Sequence, residues 1–278
     1  MLVADGQNEP ESIQGLNLQR VPEISVCMAA YNGSRYIQEQ IHSILLQLGE
    51  RGELIVVNDC SQDDTGDIVE GIRDERIRAI RNPSNLGVIA SFERAIQEAR
   101  GEIIFLSDQD DRWSSDKVRA FLAVFAADPR VTLVVGNGEL IDADGQPLEE
   151  RLYSRGGFSA GVVTNLIKNR YQGSTMAFRR EVAEVALPFP KGLPMHDSWI
   201  GLVNAIIGRA AFLDEPLLFY RRHGGNVTTR KHGSTMHMLA ERWTLAKELV
   251  FRVGRLLRAK RDLKRNLGKR VAVPARGG

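Results

Sequence analysis

The sequence predicts an α/β fold: a mainly parallel sheet with helices on both faces, followed by a basic helix at the C-terminus. Three observations carry this reading. Short apolar runs rich in Ile, Val and Leu alternate with stretches of helical periodicity through the first half of the chain. Those runs are near-continuously apolar, as in strands buried on both faces. From Met236 onward the pattern changes to one long amphipathic stretch crowded with Arg and Lys.

The elements follow in order. Residues 24–28 (ISVCM) read as a strand, and residues 36–48 as a helix with Ile37, Ile41, Ile44, Leu45 and Leu48 on one face. Residues 53–58 (ELIVVN) form the second strand. Residues 64–73 are helical, with Ile68 and Ile72 four apart. A short strand spans 77–81, a helix 87–100, a strand 102–107 (EIIFLS), a helix 114–127 and a strand 131–136. The second half is less regular. Residues 173–178, 210–213 and 217–220 read as strands, and His196-Asp197 precedes an apolar helix over 198–207.

In open parallel sheets ligands bind beyond the carboxyl ends of the strands. The first four strands end in Ala29-Ala30-Tyr31-Asn32-Gly33, Asp59-Cys60-Ser61-Gln62-Asp63-Asp64, Asn82-Pro83-Ser84-Asn85-Leu86-Gly87 and Asp108-Gln109-Asp110-Asp111. These small, polar and acidic residues predict one acidic crevice.

Composition narrows the classes. The 278 residues are 43% hydrophobic and 26% charged, ordinary for a globular protein of one large domain or one domain with an appendage. No apolar run approaches the roughly 20 residues that span a bilayer. The polar, acidic residues 1–20 read as a poorly ordered leader rather than a signal peptide. Cys27 and Cys60 each end a strand, where a buried thiol is the expectation and a disulfide is not. The net charge of +2 hides an asymmetry: residues 235–278 carry twelve Lys/Arg and three Asp/Glu, so the remainder is acidic.

Asp108-Gln109-Asp110-Asp111 is the strongest local signal. Three carboxylates within four residues repel one another unless a cation sits among them. Mg²⁺ and Mn²⁺ take oxygen ligands of this kind together with substrate phosphates. The same residues can also cap the following helix. Asp59 can accept hydrogen bonds from a nucleobase or ribose, or cap a helix. Asp197 is a general-base candidate beside a proton carrier, His196, or again a cap. His223 is a metal-ligand candidate or a surface histidine. Absent GxGxxG, P-loop and HExxH strings count against dehydrogenase, ATPase and zinc-hydrolase readings.

As an ordered set, Ala30-Tyr31-Asn32-Gly33, Asn58-Asp59-Cys60-Ser61, Asn85-Leu86-Gly87 and Ser107-Asp108-Gln109-Asp110-Asp111 resemble the family-2 inverting glycosyltransferases. Gly173-Ser174-Thr175-Met176, His196-Asp197-Ser198-Trp199 and Tyr220-Arg221-Arg222-His223 are similar to the acceptor half of that family. The DQDD and HDSW spellings are most similar to rhamnosyltransferase-like members that build bacterial surface polysaccharide, over about residues 22–230. The resemblance implies a GT-A, Rossmann-like fold, a nucleotide-diphosphate sugar donor and Mg²⁺ or Mn²⁺. It places Ala30, Tyr31, Asn32, Asp59, Asn85, Gly87, Asp108 and Gln109 on the donor side, with Tyr31 and Asp59 at the base and Asp108 at the ribose. Asp110 would bind the metal and His223 complete its site. Asp197 would be the catalytic base, with Gly173, Ser174, His196 and Trp199 on the acceptor side. The implied donor is dTDP-rhamnose and the acceptor a lipopolysaccharide or lipid-linked glycan, at the cytoplasmic face of the inner membrane. One departure stands out: the family commonly writes Asp-Asp-Gly-Ser where this chain has Asn58-Asp59-Cys60-Ser61. A sugar nucleotidyltransferase and a non-catalytic nucleotide-sugar-binding scaffold are the competing readings.

The expected organisation is a leader over 1–20, a catalytic domain over 21–234 and a tail over 235–278. Within the tail, Leu239, Trp243, Ala246, Val250, Val253 and Leu257 define one helical stripe flanked by Arg242, Lys247, Arg252, Arg255, Arg258 and Arg261. That pattern fits an anchor lying on an anionic membrane surface, or a helix packed on the body or on another subunit. Few aromatics accompany the basic residues and the body is acidic, so nucleic acid is not an expected partner.

Overall fold

The computed structural model describes residues 24–154, 157–224 and 235–271, with side chains for all of these except 235–237 and 266–271. The expected leader lies outside the described residues. The first half follows the expected alternation: β1 (Ile24–Ala30), α1 (Ile37–Leu45), β2 (Gly52–Asn58), α2 (Thr65–Gly71), β3 (Ile77–Arg81), α3 (Val88–Glu98) and β4 (Ile103–Asp108). A two-residue strand, β5 (Arg112–Trp113), precedes α4 (Lys117–Ala127), and β6 (Val131–Ile141) forms a hairpin with β7 (Pro147–Arg151). Then come α5 (Val162–Ile167), a 3-10 turn at Gly173–Thr175, β8 (Met176–Arg179), α6 (Arg180–Ala186), α7 (His196–Ile207) and β9 (Arg209–Arg221).

The nine strands of the described residues join one sheet in the order β3-β2-β1-β4-β8-β6-β9-β5, with β7 added to β6. The four strands β3, β2, β1 and β4 are mutually parallel, as expected. Beyond β4 the sheet is mixed, and β8 runs antiparallel to both β4 and β6. A parallel neighbour requires a crossover that returns the chain to the starting edge. The chain instead enters β8 straight from the turn at Gly173–Thr175, on the crevice side, and so runs back along β4. The two strands expected at 210–213 and 217–220 are one strand, β9. Its Pro216 falls opposite Asn137, where the β6 register shifts, a position at which a missing N–H is tolerated.

Alternation along the parallel strands divides the core in two. Val26, Met28, Leu54, Val56 and Phe105 face α1 and α4, whose Ile37, Ile41, Ile44 and Phe121 are fully buried. Cys27, Ile55, Val57, Ile104 and Leu106 face Phe92 and Ala95 of α3 and Trp199, Leu202 and Val203 of α7. Both sheet faces are therefore dry, which is why the strands read as continuous apolar runs.

The tail is not the single helix expected from Met236 onward. It forms α8 (Thr235–Phe251) and α9 (Val253–Val271), interrupted at Arg252, and α9 packs against α6 and α7. Leu245, Leu249 and Leu256 are buried in the same core as Trp199 and Val203. None of these three belongs to the stripe read from the sequence. That stripe faces outward, with Leu239, Trp243, Val250, Val253 and Leu257 all exposed. Among the described residues no helix is long and apolar enough to cross a membrane.

Candidate active site

The carboxyl ends of β1, β2, β3 and β4 are laced into one crevice by hydrogen bonds between their loops. After β1, Asn32 N–H donates to Ser61 Oγ at 3.1 Å, Gly33 N–H to Thr65 Oγ1 at 2.8 Å, and Ser34 N–H to Asp63 Oδ2 at 3.1 Å. Gln62 N–H returns a bond to Asn32 Oδ1 at 2.9 Å. Gln109 pairs with the main chain of Tyr31 like a strand partner, accepting from its N–H and donating to its carbonyl, both at 2.9 Å. A Cβ at position 33 would fall 2.1 Å from Gln109 Oε1, so a side chain there would push the Gln109 amide off the Tyr31 main chain. The Tyr31 ring stays exposed and free to stack on a planar ligand. Ala30, expected on the donor side, is instead buried and contributes only its carbonyl, which accepts Asp59 N–H at 2.7 Å.

Cys60 explains the departure noted in the second motif. Its φ is +61°, the left-handed region, which disfavours any side chain with a Cβ by about 1–2 kcal/mol. Cys27 is a buried thiol as expected, whereas Cys60 is only half-buried. Cys60→Gly should stabilise the fold, since relief of that strain exceeds the roughly 0.5–1 kcal/mol entropic cost of glycine. Cys60→Val should destabilise it, because a β-branched residue is poorly accommodated there. Urea unfolding of the two variants checks this, and equal losses would contradict it.

Asp59 has a fuller set of partners than a free base-binding carboxylate. Its Oδ1 accepts from Asn82 Nδ2 at 2.7 Å and Leu86 N–H at 2.9 Å, and its Oδ2 from Gly87 N–H at 2.8 Å. Although burial pushes the other way, these donors hold its pKa below the ordinary carboxylate value. Asp59 thus fixes the loop that carries the exposed Asn85. Gly87, at φ +86° and ψ 162°, occupies a region essentially reserved for glycine.

The acidic turn meets the end of β9. β5 pairs with β9, setting Arg112 opposite Phe219 and Trp113 opposite Leu218. The clamp brings His223 to Asp110, with Nε2 to Oδ2 at 2.8 Å, although 113 positions separate them. Arg221 secures the turn: its N–H donates to Asp111 Oδ1 at 3.0 Å, its Nε to the Asp110 carbonyl at 2.9 Å, and its guanidinium to Glu39 Oε2 at 2.6 Å. Its guanidinium also stacks over Tyr36.

Burial raises the pKa values of Asp108 and Asp111, and both are raised further by the charge of Asp110. Asp197 also repels Asp108, so the acidic turn and the candidate base share one crevice. Lys117, on the first turn of α4, is the buried counter-charge. Its Nζ donates to the Ser174 carbonyl at 2.6 Å and lies 4.2 Å over the Trp113 ring, and burial lowers its pKa. Sequence reasoning missed Lys117, Arg221 and Asn169. A lysine six positions after DQDD, in an otherwise apolar helix face, was the available signal for the first.

Asp197 lies in the first turn of α7, not before it; α7 begins at His196. Its Oδ2 accepts Gly173 N–H at 3.1 Å, and its Oδ1 accepts Ser198 N–H and, at 3.3 Å, Asn169 Nδ2. Burial nevertheless dominates and raises its pKa to about 6. His196 is not the proton carrier that its position suggested. It stacks on Phe92 with ring centroids 4.0 Å apart, and burial lowers its pKa to about 3, so it stays neutral. Trp199, expected on the acceptor side, is wholly in the core, its Nε1 donating to the Ala186 carbonyl at 2.9 Å. Gly173 and Ser174 are buried too: the former orients Asp197, the latter receives Lys117.

Among the described residues no group of three or more His, Cys, Asp and Glu forms a ready-made metal cage. A hard divalent ion bound with a diphosphate needs only one or two protein ligands, since phosphate and water complete its shell. Asp110 and His223 supply such a pair. Beside them the buried Asp111 Oδ2 has no hydrogen-bond donor, and the carboxylic groups of Asp108, Asp110, Asp111 and Asp197 outnumber the buried cations Lys117 and Arg221. The residues fit a divalent ion.

Comparison with known proteins bears on the family and the fold. The family model described as glycosyl transferase family 2 matches residues 25–186. TuaG of Bacillus subtilis, which carries the name of a teichuronic acid biosynthesis glycosyltransferase, is 27% identical over 215 residues, covering 76% of this chain and 83% of its own. The solved structure of S. aureus TarS residues 1-349 with UDP-GlcNAc superposes with a TM-score of 0.63 at 20% identity, covering 82% of this chain and 66% of that one. The mannosyltransferase PcManGT of Pyrobaculum calidifontis, solved with GDP-Man and Mn²⁺, gives 0.57 at 20% identity, covering 82% and 64%. The chain thus spans about two thirds of the length of these solved proteins, and shares with them the GT-A fold.

Proposed function

The chain belongs to glycosyl transferase family 2, and from that premise we propose that it is an inverting glycosyltransferase with Asp197 as the general base, acting in the synthesis of a bacterial surface glycan. The observation that carries the reading is the setting of Asp197: a buried carboxylate, oriented by Gly173 and Asn169, in electrostatic contact with the acidic turn. A carboxylate whose pKa is lifted to about 6 is a better proton acceptor than an exposed one yet still ionised near neutrality.

The transfer is a single displacement. Asp197 takes the proton of the acceptor hydroxyl as that oxygen bonds to the anomeric carbon. The bond from that carbon to the diphosphate breaks on the opposite face, so the centre inverts and no covalent enzyme intermediate forms. Asp110 and His223 would hold Mg²⁺ or Mn²⁺, which when bound offsets charge on the departing diphosphate. Tyr31 and Asn85, both exposed, would meet the nucleotide, and Asp108 would face the ribose. Lys117 ties the Gly173–Thr175 turn to α4 and keeps the two halves in register.

The donor we propose is dTDP-rhamnose, supported by the DQDD and HDSW spellings; the acceptor is a lipopolysaccharide or lipid-linked glycan. Residues 21–234, completed by the buried leucines of α8 and α9, form the catalytic unit, and the outward side of the 235–278 tail holds it at the cytoplasmic face of a membrane. Incubation with Mn²⁺ and a panel of dTDP-rhamnose, UDP-hexoses and GDP-mannose should release nucleotide diphosphate fastest from dTDP-rhamnose. Faster turnover of a UDP-sugar would overturn the donor assignment, and no release from any donor would overturn the activity.

A further inference from the structure

The helix α8 carries two apolar faces. Leu245 and Leu249 are buried against the body, whereas Leu239, Trp243 and Val250 are 65, 71 and 73% exposed. At 3.6 residues per turn the two sets lie about 120° apart on the helix. Phe251, at its C-terminal end, is 84% exposed. Helix α5 carries an outward pair of its own, Val163 and Ile167, one turn apart and 71 and 73% exposed. The two helices pack together, and Arg242 Nε donates to the Ile167 carbonyl at 3.2 Å. Their outward faces are therefore neighbours.

Charge indicates what covers this surface. Residues 238–265 hold nine Lys/Arg and three Asp/Glu, and Lys247, Arg258, Arg261 and Lys264 are exposed. Large apolar side chains that include a tryptophan, with exposed Lys247 on the same helix, Lys168 beside Ile167 and further cations along α9, match the boundary layer of an anionic bilayer, where the ring enters the headgroup region and the cations meet lipid phosphate.

The surface is also close to the chemistry. Asn169 lies two positions after Ile167, at most about 7 Å of chain, and Asn169 Nδ2 touches Asp197. We propose that the outward faces of α5 and α8 form one docking surface for an anionic bilayer, and that docking there brings Asp197 beside hydroxyls carried at the membrane. The second half rests on the transferase reading above; the first does not.

The test uses the full chain with vesicles of phosphatidylglycerol mixed with phosphatidylcholine, and of phosphatidylcholine alone, at low salt. Wild type should sediment with the anionic vesicles and at least tenfold less with the neutral ones. The doubly substituted Trp243→Glu/Phe251→Glu and Val163→Glu/Ile167→Glu proteins should each bind anionic vesicles at least tenfold more weakly. Nucleotide release from the donor without vesicles should be unchanged in both, since these four side chains are largely exposed and none belongs to the hydrogen-bond set around Asp197. Wild type that ignores anionic vesicles, or α5 variants that bind as wild type does, would overturn the proposal. So would sedimentation equilibrium revealing a dimer that these substitutions dissociate, because the face would then cover a second copy. Wild type that binds vesicles but releases no nucleotide from any donor would uphold the docking surface and remove the transferase reading alone.

Discussion

Asp197→Asn should lower sugar transfer by about 10²–10⁴-fold, the usual contribution of a positioned general base, with calorimetric donor affinity unchanged. The amide has the shape of the carboxylate but cannot take the acceptor proton. Wild type carries a linked pH signature. Burial raises the Asp197 pKa from the ordinary value to about 6, so the proton stays on the carboxyl over a wider acid range. kcat/KM should therefore rise with pH through about 6, falling close to tenfold per pH unit below it. That limb should vanish from the residual activity of Asp197→Asn. A variant active within a few-fold of wild type, or one with the same acid limb, would place the base elsewhere.

Asp110→Ala should remove most of the metal-dependent donor binding. Loss of a group that only supports a metal ligand already costs about 10–100-fold in metal affinity or activity, so loss of the ligand should cost at least that. Calorimetry with a nucleoside diphosphate and Mn²⁺ reads it directly. Wild type in EDTA should resemble Asp110→Ala, and EDTA should change the variant little. The turn should keep its shape, because Arg221 grips it through the Asp110 carbonyl and the Asp111 carboxylate. His223→Ala should weaken binding less, since the carboxylate remains. Undiminished affinity in both EDTA and Asp110→Ala would sink the metal assignment.

The strand-end residues were legible as a crevice because each belongs to a local rule. An apolar run fixes a strand, the parallel order fixes which end holds the ligand, and a DQDD cluster announces its own charge. His223 was legible only through its resemblance to a family, because nothing local links it to Asp110. The pairing of β5 with β9 supplies the link. Lys117 looked like an ordinary helix lysine until α4 packed its first turn under the acidic loop. His196 looked like a proton carrier until Phe92 covered its ring.

The sequence alone determined the parallel half of the sheet, the gathering of acidic residues at its carboxyl edge and the basic character of the tail. All three follow from hydrophobic period and charge, which act within a few residues of themselves, whereas Asp197 was singled out as a base by resemblance to a family. The tertiary structure decided the rest: the antiparallel entry of β8, the double face of α8, the anchoring of Asp59 by the Gly87 loop, and the pKa of Asp197. Each of these depends on which distant segments exclude water from a group, and desolvation is set by the packed neighbours rather than by the adjoining sequence.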